Sequence, residues 1–184
     1  MDGNTQTILN SSINRDALIK AFPDLKDDVN FEILSPQTPI YNCIAWAMQF
    51  DDRWVDPIKV PGHWWPVGVA ESMSPEALIQ AFQAVGFTIA IDCKIEHGFD
   101  KVILYKNQIT DQWTHASRII KDSVEHSKFG EGWDGCHSIN SIKGTIYGVP
   151  YCYMKRSSSY TIPTEKLQGN IEVNLDKLSI LLRR

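Results

Sequence analysis

Apolar positions near the start of the chain recur at helical spacing. In NRDALIKAF (14–22), Ala17, Leu18, Ala21 and Phe22 share one face, with Asn14 as a cap and Pro23-Asp24 as a stop. Residues 1–12 before it are polar and expected to be a flexible N-terminus. FEIL at 31–34 predicts a short strand ended by Ser35-Pro36. The run YNCIAWAMQF from Tyr41 is apolar nearly all round and rich in helix formers. It predicts a helix buried inside the protein, capped by Asn42, with Cys43 in its first turn. Residues 51–73 carry Trp54, His63, Trp64 and Trp65 among prolines and glycines. They predict an irregular aromatic loop, longer than the ~12–15 residues usual for structureless loops. Ser74-Pro75-Glu76 opens the next helix, with Leu78, Phe82 and Val85 on one side and Gly86 as its end.

Strands dominate the second half of the chain. FTIAIDC (87–93), VILY (102–105) and WTHASRII (113–120) are strand candidates, and residues 123–128 add another after a turn at Lys121-Asp122. Strict alternation in the third puts Trp113, His115, Ser117 and Ile119 on one face. GEGWDG (130–135) reads as a turn-rich loop, TIYGVPYCYM (145–154) as a bent strand, 156–164 as a loop and 171–182 as an amphipathic helix. Helices first and an antiparallel sheet afterwards indicate the α+β class.

Composition narrows the function. With 184 residues, 43% hydrophobic and 22% charged, the chain is of single-domain size and not a disordered one. A net charge of −4 gives no footprint for nucleic acid, and no apolar run reaches the ~18 residues of a membrane span. The opening MDGNTQTILNSS lacks the basic start and apolar stretch of a secretory signal. A cytoplasmic location, or delivery into a target cell by a signal-independent route, is therefore expected. The four cysteines form no CxxC pair and are expected as thiols.

Cys43 carries the sharpest chemistry. A thiol in the first turn of a buried helix meets the positive end of the helix dipole, where N–H groups favour thiolate and offer an oxyanion hole. Such a nucleophile needs a base within hydrogen-bond reach. His115, mid-strand on a face shared with Trp113 and Ser117, is the leading candidate. His137, Ser127 and Asp134 are candidates to orient its imidazole. His97 and His126 are expected on the surface. Cys43 also has a plain reading as core filler. No residue pair has zinc-like spacing, so no metal is assigned, although Cys43, His115 and His137 together would make one weak option.

YNCIAWA at 41–47, RW at 53–54, WWP at 64–66, KVILY at 101–105, THAS at 114–117 and SKFG at 127–130 form a series. It resembles an uncharacterised bacterial domain family with a recurrent pattern of YNCIAWA, a Trp-Pro-rich loop, GF-KV-LY, THAA, SKLG and an acidic residue three before a His. Asp134 and His137 match that last element, and the resemblance spans residues 20–156. RWVDP departs from the family's tryptophan run, and Ser117 stands for a common alanine. The order of helix-borne Cys and strand-borne His also resembles papain-like (NlpC-type) cysteine hydrolases. That likeness implies a central N-terminal helix packed on an antiparallel sheet, and places Gln37 where papain-type enzymes keep an oxyanion glutamine.

The combined expectation is a papain-like α+β domain over 13–156, with a C-terminal extension over 157–184. Its reaction would be hydrolysis or acyl transfer at an amide of a protein or peptide, through Cys43 and His115 and without a cofactor. The Cys43 N–H with Asn42 or Gln37 would form the oxyanion hole, and Trp54, His63, Trp64, Trp65 and Trp113 would line the cleft. The alternative is a non-catalytic binding or interaction module using the Trp-rich loop 54–66 as its recognition surface.

Overall fold

The computed structural model describes residues 3–58 and 60–167. Their order is α1 (Gly3–Leu9), α2 (Ser12–Ala21), a 3-10 turn (Pro23–Asp27), β1 (Glu32–Ser35), α3 (Cys43–Met48), β2 (Trp54–Val55), β3 (His63–Trp64), α4 (Pro75–Ala84), β4 (Thr88–Ala90), β5 (Phe99–Lys106), β6 (Trp113–Lys121), β7 (Val124–Lys128), β8 (Asp134–Ser138), β9 (Val149–Ser157) and α5 (Thr164–Leu167). The helix expected at 171–182 lies outside the described residues. Seven strands form one antiparallel sheet in the order β1-β8-β7-β6-β5-β9-β4, so the α+β expectation holds at the level of a mixed helix and antiparallel-sheet protein. No helix among the described residues is long and apolar enough to cross a membrane.

Strand alternation gives the sheet two apolar faces. Val102 and Leu104 of β5, Ala116 of β6 and Cys152 and Met154 of β9 pack against α3 and α4. Ile103, Tyr105 and Ile119 point the other way, onto Leu18 and Phe22 of the α2 region and onto Phe129 and Ile142. A bulge where Tyr105 pairs with His115 and Lys106 with Trp113 breaks the alternation at the head of β6. Trp113 therefore joins the α3 face and does not share the face of His115, contrary to the expected strict period of two.

α3 forms as its sequence predicts. Asn42 caps it, its Oδ1 accepting from the Ala45 N–H at 3.0 Å, while its Nδ2 donates to the Val55 carbonyl at 2.9 Å. All α3 residues except Trp46 are buried, and the helix packs across β6 and β7. Arg156 holds the far ends of α3 and α4 together, donating to Gln49 Oε1 at 2.7 Å and to the Val85 carbonyl at 3.1 Å.

Two expectations are corrected. Residues 1–12 contain α1 rather than a loose tail, because β1 is an edge strand with unpaired peptide groups. The Asn10 amide pairs with both the N–H and the carbonyl of Ile33 at 2.9 Å, as a neighbouring strand would, and Leu9 is buried beneath it. The segment read as a loop at 130–135 runs into β8, whose alternation carries no apolar run. Gly135 lets β1 approach, since a Cβ there would stand 2.5 Å from the Glu32 carbonyl oxygen.

Asn42→Ala removes the cap and strands the Val55 carbonyl. The expected loss is about 1–2 kcal/mol of unfolding free energy, read from urea denaturation; an unchanged midpoint would contradict the structural role assigned to this side chain.

Candidate active site

Cys43 is the first residue of α3, 8% exposed. Its sulfur is met by the N–H of Ala116 and by the N–H groups of Ile44 and Cys43 itself. Burial nevertheless dominates and pushes the thiol up to about 11, with those donors and the positive charge of Lys128 pulling the other way. The resting group is a neutral thiol. The helix-dipole argument, which favours thiolate, is outweighed by desolvation.

His115 precedes the residue that bonds the sulfur, so its Cα lies one peptide unit from that N–H donor. The side chain lies on the other face of the sheet, against Tyr147, whose ring stacks on it at 3.9 Å, and edge-on to Tyr105 at 5.6 Å. It makes no hydrogen bond to Cys43. Its Nε2 is 3.0 Å from Ser127 Oγ, which is 2.7 Å from His137 Nε2, and His137 Nδ1 is 3.0 Å from the Ser138 carbonyl. Three of the sequence candidates are thus brought into one chain, with Ser127 rather than His137 in direct contact with the imidazole.

The direction of that chain follows from its last member. A carbonyl only accepts, so His137 carries its proton on Nδ1. Burial lowers His137 to about 4, against opposing pulls from Ser138 and Asp28, so the ring is neutral and Nε2 holds a lone pair. Ser127 then donates to His137 and accepts from His115 Nε2–H. The remaining nitrogen, His115 Nδ1, is unprotonated, buried and without a hydrogen-bond partner. Burial, reinforced by His137, also holds His115 well below the ordinary imidazole pKa. A desolvated lone pair with no donor is costly in a core, and it is the chemical requirement for a general base.

Other candidates fall elsewhere. Asp134 is on the α3 face and does not orient His115; it accepts from His126 Nε2 at 3.0 Å and from Ser35. Burial pushes its carboxyl up, but those hydrogen bonds outweigh it and leave the pKa lowered. Both ends of the Asn42 amide are engaged, so it is not free to bind an oxyanion, and Gln37 is exposed. Trp64, Trp65 and Trp113 are 0%, 3% and 4% exposed and build the core rather than line a cleft. Trp54 and His63 are partly exposed and stack on each other at 5.6 Å.

Several contributors were not legible. His126, expected on the surface, packs edge-on to Trp46 at 4.8 Å as well as binding Asp134. Lys128 is fully buried, its Nζ held by the Gly130 and Gly132 carbonyls. Tyr147 and Gly148 come from the loop after β8. Gly148 has φ +72, and a Cβ there would fall 1.9 Å from the Lys106 carbonyl oxygen, so this close approach admits only glycine. The sequence reads as a strand to 128 and a loop from 130, without showing which way each side chain would point. No group of three His, Cys, Asp or Glu among the described residues is placed to hold a metal.

A family profile matches residues 32–155, more than half of the chain. The chain belongs to the family described as Domain of unknown function (DUF7689). Searches of curated proteins and of solved structures return no match. The DUF7689 region runs from β1 into β9 and contains Cys43, His115, Ser127, Lys128 and His137; α1 and α2 lie before it.

Within the DUF7689 region a second buried polar group flanks the histidines. Glu125 on β7 pairs in register with His137 and accepts from Tyr105 Oη, at 2.6 and 2.7 Å, and from Ser117. Burial pushes its carboxyl up to about 7, although Ser117 and Tyr105 pull it back. The raised folded-state pKa means the native protein binds a proton that the unfolded chain has released. This contribution is present below pH ~4.5 and is lost as pH rises through about 7. Glu125→Gln, which cannot ionise, should gain stability relative to the parent between pH 5 and 8. Parallel denaturant curves across that range check it, and a difference flat in pH would contradict the assignment.

Proposed function

We propose that this domain is a cysteine-dependent acyl-transfer enzyme acting on amide bonds, most simply a peptidase, isopeptidase or amidase, in a papain-like arrangement. The observation that carries the reading is the unpartnered, unprotonated Nδ1 of His115, whose next residue, Ala116, bonds the Cys43 sulfur from the opposite face of the sheet. Both groups rest neutral, so the chemistry begins by proton transfer. Cys43 and His115 lie on opposite faces of the sheet, so this reading requires a rearrangement that brings Nδ1 to the sulfur. Nδ1 then takes the thiol proton as sulfur bonds the substrate carbonyl carbon, and the N–H groups of Cys43 and Ile44, which hold the resting sulfur, turn to the developing oxyanion. As the tetrahedral species collapses, the C–N bond breaks and His115 returns the proton to the leaving amine. Water then attacks the thioester, losing its proton to His115, which gives it back to the departing thiolate. Ser127 and His137 keep Nε2 protonated throughout and orient the ring.

The second reading is a non-catalytic binding module, and the burial of Cys43 and the placement of His115 on the opposite face of the sheet favour it. The Trp-rich loop adds little to that reading, because Trp64 and Trp65 are core residues.

A set of dipeptidyl vinyl sulfones, followed by peptide mass mapping, separates the two. Catalysis predicts an adduct confined to Cys43, slowed about 100-fold or more in His115→Ala and less severely in Ser127→Ala. Labelling of half-exposed Cys93 in preference to Cys43, or equal rates in parent and His115→Ala, would leave the binding module.

A further inference from the structure

The SKFG segment splits across the sheet. Ser127 joins the two histidines on one face, and Lys128 turns to the other, where α3 lies. Ala116 precedes Arg118 by two residues and Lys128 follows His126 by two, and Arg118 pairs with His126. By alternation all four side chains lie on the α3 face, as the contacts of Trp46 with His126 and with the Arg118 guanidinium require. Lys128 and the Ala116 that bonds the sulfur thus flank the start of α3.

Burying an ammonium completely is expensive, and the fold holds this one with specific contacts. Nζ donates to the carbonyls of Gly130 and Gly132, and the Tyr41 ring lies 5.5 Å away. Gly130 has φ +58, the left-handed turn that brings the loop carbonyls back over the side chain. Two of three N–H bonds are taken by carbonyls that cannot neutralise the charge. Asp134 interacts with Lys128 but receives its own hydrogen bonds from His126 and Ser35. Of the other titratable groups, His115 lies across the sheet and rests neutral, and Tyr147, which interacts with Cys43, holds its proton, its pKa raised by burial. Glu131, on the loop over Lys128, is exposed.

We infer that Lys128 is a positioning residue for the Cys43 site: its buried ammonium supplies the charge that stabilises the sulfur when the thiol gives up its proton. The inference rests on the cysteine reading of the site, but its test reads thiol chemistry and needs no substrate turnover.

Alkylation of Cys43 by iodoacetamide, followed by mass spectrometry as a function of pH, gives the apparent thiol pKa in the intact chain. Lys128→Met should raise that midpoint, and Lys128→Arg should restore most of it. Equal midpoints in the parent and a folded Lys128→Met would overturn the inference. A measurement on the parent protein covers the case in which Lys128→Met does not fold. Anionic iodoacetate should gain on neutral iodoacetamide at Cys43, relative to the same ratio at Cys93, by severalfold; an equal ratio at both cysteines would equally overturn it. A shifted midpoint without any vinyl sulfone adduct would keep Lys128 in this role and remove the enzyme reading, and the converse result would remove Lys128 alone.

Discussion

A carbonyl oxygen accepts hydrogen bonds and cannot donate, and at Ser138 that one-way property settles the protonation of three side chains on three strands. It fixes the proton of His137, hence the direction of the Ser127 hydroxyl, hence the tautomer of His115. The strands must carry these groups at matching heights. The β7–β8 register, with Ser127 across from Gly135 and Glu125 across from His137, provides it. Cross-strand geometry thus does what a directly hydrogen-bonded carboxylate does in other histidine sites: it selects which nitrogen is free.

The same strand pair explains how two chemistries coexist on one sheet. Successive residues project to opposite faces, so His115-Ala116 and Ser127-Lys128 each deliver one group to the histidine layer and one to the layer under α3. A small residue at 116 lets α3 approach until its first thiol meets the strand N–H. Both layers are buried and electrically quiet, with a neutral thiol and a lysine held by carbonyls on one side and a neutral imidazole on the other. Low exposure penalises any charge formed there, but it also makes each fixed dipole and charge more effective once the charge forms. The Tyr147 ring, locked by the loop around Gly148, completes the enclosure of His115.

Much of this was readable from local signals. The cap at Asn42, the all-apolar run after it and the strand carrying His115 follow from spacing and residue type. What the sequence could not show were properties of pairing. The bulge that moves Trp113 away from the face of His115 depends on β5. The docking of α1 depends on an edge strand whose free peptide groups no periodicity reveals. β8 has a polar alternation that looks like a loop until its neighbours are known. Asp134 and His137, three residues apart, are both of a type to orient His115, with His137 the first choice and Asp134 an alternative, and an odd separation in a strand sends them to opposite faces. The tryptophan-rich loop suggested a recognition surface because its residue types do not disclose that Trp64 and Trp65 fill the core.

The central claim is the protonation pattern at His115, and long-range 15N–1H NMR correlation of the histidine rings in the native protein at neutral pH tests it most directly. The account predicts a neutral His115 ring protonated at Nε2, with the Nδ1 resonance of a free lone pair, and a neutral His137 protonated at Nδ1. A His115 ring protonated at Nδ1, or charged at both nitrogens, would contradict it.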